Sequence, residues 1–356
     1  MVAAAATIKK HYDAITRVSS WNYVMHCVLE RIAKRMRIVS LLAGATEMIA
    51  ALGCLDQHVG RSHECDYPPE VQRLPLVSMV QINTDASSAE IDAQIKQLAG
   101  SKAEAQENVL RALSIYRIDT TLLQQLRPDV IFTQTQCEVC AVSERDVTHA
   151  LQQVTGLQPR IVSLAPYRLN DIWEDFLRVG KALDKEAQAR ALVASYQERL
   201  EHLHEQTSTH GQRSGWPQAT IQVTILEWLD PLMAAGNWTP ELVEYAGGRA
   251  VFGEAGQHSP WLSWKELREA DPDVIILSPC GFTLERIHQD LPIIQQHPTW
   301  PQLRAVQQGK VYAVDGNFYL NRSGPRVVDS AEILARILWG TPLSTHLDEH
   351  TWEQIQ

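Results

Sequence analysis

The sequence predicts an α/β protein of two lobes, each built on a parallel sheet, joined by a long rigid helix, with a ligand cleft between them. Three observations carry this. Arg127-Pro-Asp-Val-Ile131 recurs as Asp271-Pro-Asp-Val-Ile275, so that Pro128 and Pro272 stand 144 residues apart. Each copy is a short apolar run behind a helical pattern, which is how a buried parallel strand reads. The stretch between the copies carries the longest helical pattern in the chain. A length of 356 residues accommodates two domains.

The N-terminal 1–35 read as a helical extension. They lack the basic start of a secretory leader, and Lys9, Lys10 and His11 interrupt any apolar core. Met36-Arg37 through Gly53-Cys54 looks like a lipoprotein leader, but Ala51 stands where Leu is usual and cleavage would delete a strand and a helix. The expected location is therefore cytoplasmic, with the periplasm as the alternative.

The N-terminal lobe spans 36–167. Arg37–Leu41 reads as a strand, followed by a small-residue turn and a helix from Thr46 to Gly53. Thr suits an N-cap and Gly a C-terminal stop. Residues 84–115 read as a helical insertion. After the strand at Pro128 comes a cysteine-bearing loop, Thr133-Gln-Thr-Gln-Cys137, and then a strand at Arg160–Leu164.

Residues 168–206 read as the interlobe helix. Ile172, Phe176, Val179 and Leu183, and later Leu192, Tyr196, Leu200 and Leu203, fall three or four apart on one face. A single helix from 171 to 204 would span roughly 50 Å. The C-terminal lobe, 207–345, repeats the first: a strand at Ile221–Leu226, a helix from Thr239 to Gly247-Gly248, the second Pro-Asp strand with Ser278-Pro-Cys280-Gly281 behind it, and a strand at Lys310–Val314. Two Rossmann-like lobes follow. Residues 346–356 read as a tail.

Composition narrows the function classes. Hydrophobic residues make up 45% and charged residues 21%, which excludes a disordered or fibrous chain. A net charge of −10 argues against a general nucleic-acid binder. No run of 18 apolar residues exists, so the chain is not expected to be membrane-embedded. Six cysteines are too few for a disulfide scaffold and read as reduced thiols or metal ligands.

Ligands of parallel sheets bind outside the carboxyl ends of the strands. That rule places His63, Glu64, Cys65, Cys137, Cys140 and Cys280 at the cleft edge. Thiolates and imidazole suit Zn, Fe, Cu or Co. His63, Cys65, Cys137, Cys140 and Cys280 are therefore candidate metal ligands, with Zn or Fe in mind; the plain alternative is that they are small buried hydrophobes. Trp228, Trp238 and Trp261 can supply flat apolar surface to a ligand, or can be ordinary core. Arg61, Arg322 and Arg326 can receive carboxylates or phosphates, or can be salt-bridged. Glu47 is accounted for by the helix dipole alone.

The arrangement resembles the helical-backbone (class III) solute-binding proteins that serve ABC importers of cobalamin, siderophores and haem, and within them the vitamin B12-binding proteins. The residues that carry the resemblance are Arg37-Ile-Val-Ser-Leu41, Thr46-Glu47-Met48, Ala50-Ala51-Leu52-Gly53, Asp66-Tyr-Pro-Pro69, the two Pro-Asp strands, Pro260-Trp261 and Arg322-Ser-Gly-Pro-Arg326. The resemblance implies a non-enzymatic binder of a corrinoid or related metal-containing cofactor. Glu64 and Gln134 stand where its first lobe carries ligand-contacting aromatics, and Trp261 keeps the second-lobe aromatic. With them, Trp228, Trp238 and Arg322 complete the expected ligand-binding set. The insertion at 84–115 departs from the family pattern. So do the permease-docking positions, where the family has one Glu per lobe and this chain has Thr121 and Lys265, with Glu266 adjacent to the second.

The function expected is a solute-binding protein of the cobalamin or metal-chelate type, as a cytosolic binder or as the substrate-binding component of an ABC importer, and a monomer. The alternative is a cysteine-ligated Zn or Fe–S protein or redox enzyme in the same cleft, in which Glu64, Glu138 or His63 would move protons. A scaffold that has lost its ligand is the third reading. No Walker loop, glycine fingerprint or nucleophile elbow supports nucleotide or serine-hydrolase chemistry.

Overall fold

The computed structural model describes residues 35–80, 83–99, 116–134, 158–213, 221–341, 347 and 351–355. The extension at 1–35, but for its last residue, therefore lies outside the described residues, as do 100–115, Cys137 and Cys140.

The first lobe is a four-stranded parallel sheet in the order β2-β1-β5-β6, with β1 at Ile38–Ser40, β2 at His58–Arg61, β5 at Val130–Gln134 and β6 at Arg160–Leu164. A separate antiparallel ribbon, β3 (Ser78–Val80) with β4 (Tyr116–Ile118), lies beside it. Helix α1 (Ala43–Ala51) follows β1, α2 (Ser88–Ala99) rises from the ribbon, and α3 (Thr120–Leu126) leads into β5.

The second lobe repeats this plan with additions. Strands β7 (Ile221–Leu229), β10 (Val274–Leu277) and β11 (Val311–Val314) are parallel, and β9 (Gly248–Ala250) pairs parallel with β7. Each edge also gains an antiparallel strand that local sequence pattern did not predict. The first strand runs past Leu226 to Leu229 and turns back as β8 (Leu232–Ala234). The presumed tail supplies β12 (Trp352–Gln354), held on β11 with Trp352 tilted against Tyr312. Helices α6 (Thr239–Tyr245), α7 (Trp264–Ala270), α8 (Leu284–Gln295), α9 (Arg304–Gln307) and α10 (Val327–Trp339) cover the sheet.

The internal repeat is chemical as well as topological. Arg127 and Asp271 both adopt the left-handed conformation, at φ 43° and 41°, and close α3 and α7 by donating to Leu123 O and Leu267 O. Asp129 then accepts the Arg37 N–H at 2.9 Å, and Asp273 the Gln222 N–H at 2.8 Å. In each lobe the Pro-Asp pair thus fastens the start of the neighbouring strand. The two threonines act differently from expectation. Thr46 lies inside the first turn of α1, which begins at Ala43 after an uncapped Leu42, and Thr239 is the first residue of α6 behind Trp238.

The interlobe segment is two helices rather than one. Helix α4 (Leu169–Ala182) ends at Leu183, Asp184 turns at φ 57°, and α5 (Glu186–Arg213) begins. The two pack so tightly that a Cβ on Gly180 would come within 2.4 Å of the Ala189 Cβ. The apolar series marks the break: it skips from Leu183 to Leu192. At 28 residues, α5 alone spans about 42 Å. It is fastened to α10 by Arg199, whose Nη2 lies 2.9 Å from Asp329 and 2.6 Å from Glu332.

One apolar core runs through both lobes. It joins Ile38, Met48 and Phe132 to Phe176 and Leu200, and these to Val223, Ile276 and Leu334. A second core fills the outer face of the second lobe and takes in Ile91 of α2. Of the insertion at 84–115, the described residues form a turn and bend over 84–86 and then the helix Ser88–Ala99.

Candidate functional site

Loops at the carboxyl ends of the two sheets meet across the lobe boundary: Asn317, behind β11, donates to Asp66, behind β2, at 2.8 Å, and Glu64 lies close enough to Cys280 to act on its charge. Behind β2, His63 Nδ1 lies 3.2 Å from Ser78 Oγ, and its Nε2 lies 3.8 Å from Glu64 Oε1. Burial holds the His63 ring below its ordinary pKa, with Glu64 opposing, so it is neutral at pH 7 and in the form that binds metals. The Glu64 side chain is half exposed. Gln134 ends β5 and is exposed.

On the opposite side Cys280 follows β10 and donates its N–H to Glu227 O at 3.1 Å. It is solvent-exposed. Desolvation by the surrounding protein, with the carboxylates of Glu227 and Glu64, pushes its thiol up to about 12. Glu227 was not anticipated, although a carboxylate in the run Ile225-Leu226-Glu227-Trp228 was a signal. It accepts the Ser259 hydroxyl at 2.8 Å, and burial pushes its carboxyl up.

Other predicted residues do other work. Cys65 is fully buried under α1, where Thr46 donates to its Sγ at 2.9 Å and Ser62 Oγ lies 3.3 Å away. Burial raises its pKa, so it is a neutral packing residue rather than a cleft thiolate. Trp238, expected to face a ligand, is 6% exposed and donates its indole N–H to Leu320 O at 3.1 Å. Trp264 stacks on His297 at 4.0 Å. Arg61 braces its own loop through Ser62 O, Cys65 O and Gln72 O. Trp261 is exposed, at 55%, with Lys96 Nζ 5.4 Å above its ring.

Arg322 does not reach for a ligand. It crosses the lobe boundary and places Nη1 2.6 Å from Asp66 and 3.2 Å from Glu47. Arg326 joins it with two hydrogen bonds to Glu47 and stacks over Tyr67 at 4.1 Å. Glu47 is thus a buried interlobe anchor, not merely a dipole partner. Close approach makes the anchor possible: a Cβ on Gly44 would come 2.3 Å from Ser323 O.

Trp228 is also removed from solvent, by α2. Its indole N–H donates to Ser88 O at 3.2 Å and its ring meets Phe282 edge-on at 5.3 Å. Among the described residues, no group of three or more His, Cys, Asp or Glu is placed to hold a metal ion. His63, Cys65 and Cys280 do not form one, and Cys137 and Cys140 lie outside the described residues. No helix among the described residues is long and apolar enough to cross a membrane.

A family model described as periplasmic binding protein matches residues 38–317. The chain belongs to the periplasmic binding protein family. A vitamin B12-binding protein of Photorhabdus laumondii is 22% identical over 309 residues, covering 86% of this chain and 89% of that one. Among solved structures, a periplasmic heme-binding protein from Pseudomonas aeruginosa superimposes with a TM-score of 0.62 at 20% identity, over 87% of this chain and 95% of that one. The periplasmic vitamin B12-binding protein of Vibrio cholerae gives 0.57 at 21% identity, over 85% and 96%. These likenesses establish the fold as that of a two-lobed binding protein.

Proposed function

We propose that this chain is the substrate-binding component of an ABC importer and holds a corrinoid, or a haem or iron chelate of similar flat shape, between its lobes. The observation that carries the reading is the facing pair of strand-end loops in a member of this family, with His63, Glu64 and Gln134 on one side and Glu227, Cys280 and Trp261 on the other. Relatives named for vitamin B12 and heme support that ligand class. A neutral His63 suits coordination of the metal of such a ligand, and the exposed face of Trp261 suits stacking on its macrocycle. Binding is the whole activity in this reading; no catalytic step is assigned.

Thr121 and Lys265 occupy the equivalent starts of α3 and α7. Both are exposed, Lys265 by 82%. Glu266, adjacent to the second position, is engaged in capping α7 through Ser263 N and Oγ at 2.8 and 2.6 Å. A permease partner would therefore meet a different charge pattern from paired carboxylates. The relatives are periplasmic proteins by name, and we infer the same compartment here, in place of the cytoplasmic expectation.

Spectrophotometric titration with hydroxocobalamin, haemin and a ferric siderophore tests the reading. A shifted absorption spectrum saturating at one equivalent of one of them is expected. No binding of any of the three overturns it.

A further inference from the structure

Segment 83–99 leaves the first lobe and docks on the second. Its base is the β3–β4 ribbon, fastened to the first sheet by Val77 N–H to Arg61 O at 2.8 Å. Its tip is held by one carboxylate of α8. Ser88 gives both its N–H and its hydroxyl to Asp290 Oδ2, at 3.0 and 2.5 Å. Arg286 holds the other Asp290 oxygen at 2.6 Å and donates to Ala86 O at 2.6 Å. Behind this clasp Ile91, 4% exposed, enters the outer core beside Trp228, Leu229 and Phe282, with Ala86 and Ile95 partly buried against the same cluster.

The docked surface lies at the carboxyl ends of β7 and β10, where a parallel sheet offers its ligand face. Trp228 and Phe282 are covered there by a few hydrogen bonds and one fully inserted aliphatic side chain. The strap adds Ile91 to the edge of the outer core and is tied to α8 by side-chain hydrogen bonds, while the β7–β10 and β10–β11 ladders are made without it, so the strap can lift without unfolding a lobe.

We infer that the strap and the ligand compete for this face of the second lobe: Trp228 and Phe282 are covered while Ser88 is clasped by Asp290, and become the stacking surface when the strap lifts. The inference rests on the reading of the cleft as a ligand site. A site open only in a fraction of molecules binds with an affinity reduced by that fraction, so loosening the clasp tightens binding.

The test uses Ser88→Ala, which keeps the Arg286–Asp290 pair, and Asp290→Asn. Hydrogen exchange follows the amides of 86–97, and stopped-flow absorbance follows hydroxocobalamin and haemin. Both variants are expected to lose protection at 86–97 while β1 and β7 keep theirs. The association rate constant for whichever probe binds rises by about tenfold, the worth of one buried charge-assisted hydrogen bond, with dissociation unchanged. Unchanged strap protection in both variants, or lost protection with an unchanged or slower association, overturns the inference and leaves the cleft reading intact. Failure of both probes, and of the ferric siderophore, to bind the wild type and both variants removes the cleft reading and the inference with it, while the exchange data still report the clasp.

Discussion

Glu47 of α1 and Arg326 at the start of α10 are joined by two hydrogen bonds across the lobe boundary, at 2.6 and 3.0 Å, with the Glu47 side chain 1% exposed. Arg322 shares the same carboxylate at 3.2 Å and Asp66 at 2.6 Å. Charges this deeply desolvated are held by geometry, and removing one partner strands the others.

Glu47→Gln is therefore expected to cost about 3 kcal/mol in urea unfolding, since Arg326 loses both bonds to a charged partner and Arg322 keeps Asp66 as its one charged partner beside Asn317. Arg326→Ala in the Glu47→Gln background should add much less than Arg326→Ala alone. Additive losses in that cycle would show that the pair is not coupled.

Two buried groups set opposing pH dependences. His58 is 3% exposed, and its ring, disfavoured by burial, has its pKa lowered to about 4 from 6.5. The unfolded chain binds this proton first, so the contribution is complete above pH 6.5 and is lost as pH falls toward 4, by about 3 kcal/mol. Burial pushes Asp175 up to about 7, against the pull of Arg178. Here the folded chain takes the proton first, so stability grows as pH falls from 7 toward 3.8, by about 4 kcal/mol. In the wild type the two slopes offset each other between pH 4 and 6.5. His58→Leu should leave a protein that gains stability on acidification in that window, and Asp175→Asn one that loses it. Parallel pH profiles for the three proteins would refute the assignment.

Cys280 should be exposed and sluggish. A thiol at about 12 carries almost no thiolate at pH 8, so iodoacetamide should modify Cys280 about a hundredfold or more slower than a free cysteine, read by peptide mass mapping. Glu227→Gln removes one of the two carboxylates that raise it and should speed the reaction. Labelling at the rate of a free thiol would contradict the raised thiol.

Two tryptophans should part company. Trp261→Ala is expected to weaken binding of the corrinoid or haem ligand by about tenfold, with Trp261→Phe retaining most of it. Trp238→Ala should instead cost about 3 kcal/mol of stability through its cavity, with affinity kept in the fraction that stays folded. An equal affinity loss in both would mean that neither acts by position.

Some of this was legible in the residues and some was not. Arg160–Leu164 has the same bounds in the sequence reading and in the structure, because a short apolar run between polar flanks is a local signal. The Leu183-to-Leu192 skip also lay in plain view, and reading it as a gap would have yielded two helices. Trp228, Trp238 and Trp261 are one residue type with three fates: covered by a strap, buried in the core, and exposed. Nothing within a few residues of each distinguishes them. Cys65 and Cys280 divide the same way, one sealed beneath α1 and the other exposed behind β10.

The sequence by itself determined two parallel α/β lobes, their order, and the paired Pro-Asp turns, since strand burial, helix periodicity and turn chemistry are written within a span of five to fifteen residues. The tertiary structure decided which polar groups meet. Ser88 and Asp290 are 202 residues apart in the chain, Arg322 and Glu47 are 275 apart, and Arg326 and Glu47 are 279 apart. Each of these residues has an ordinary local reading as a cap, a dipole partner or a surface charge. Only the packing of one lobe against the other removes water from the pairs, and that desolvation is what turns ordinary charges into the clasps that bound the cleft.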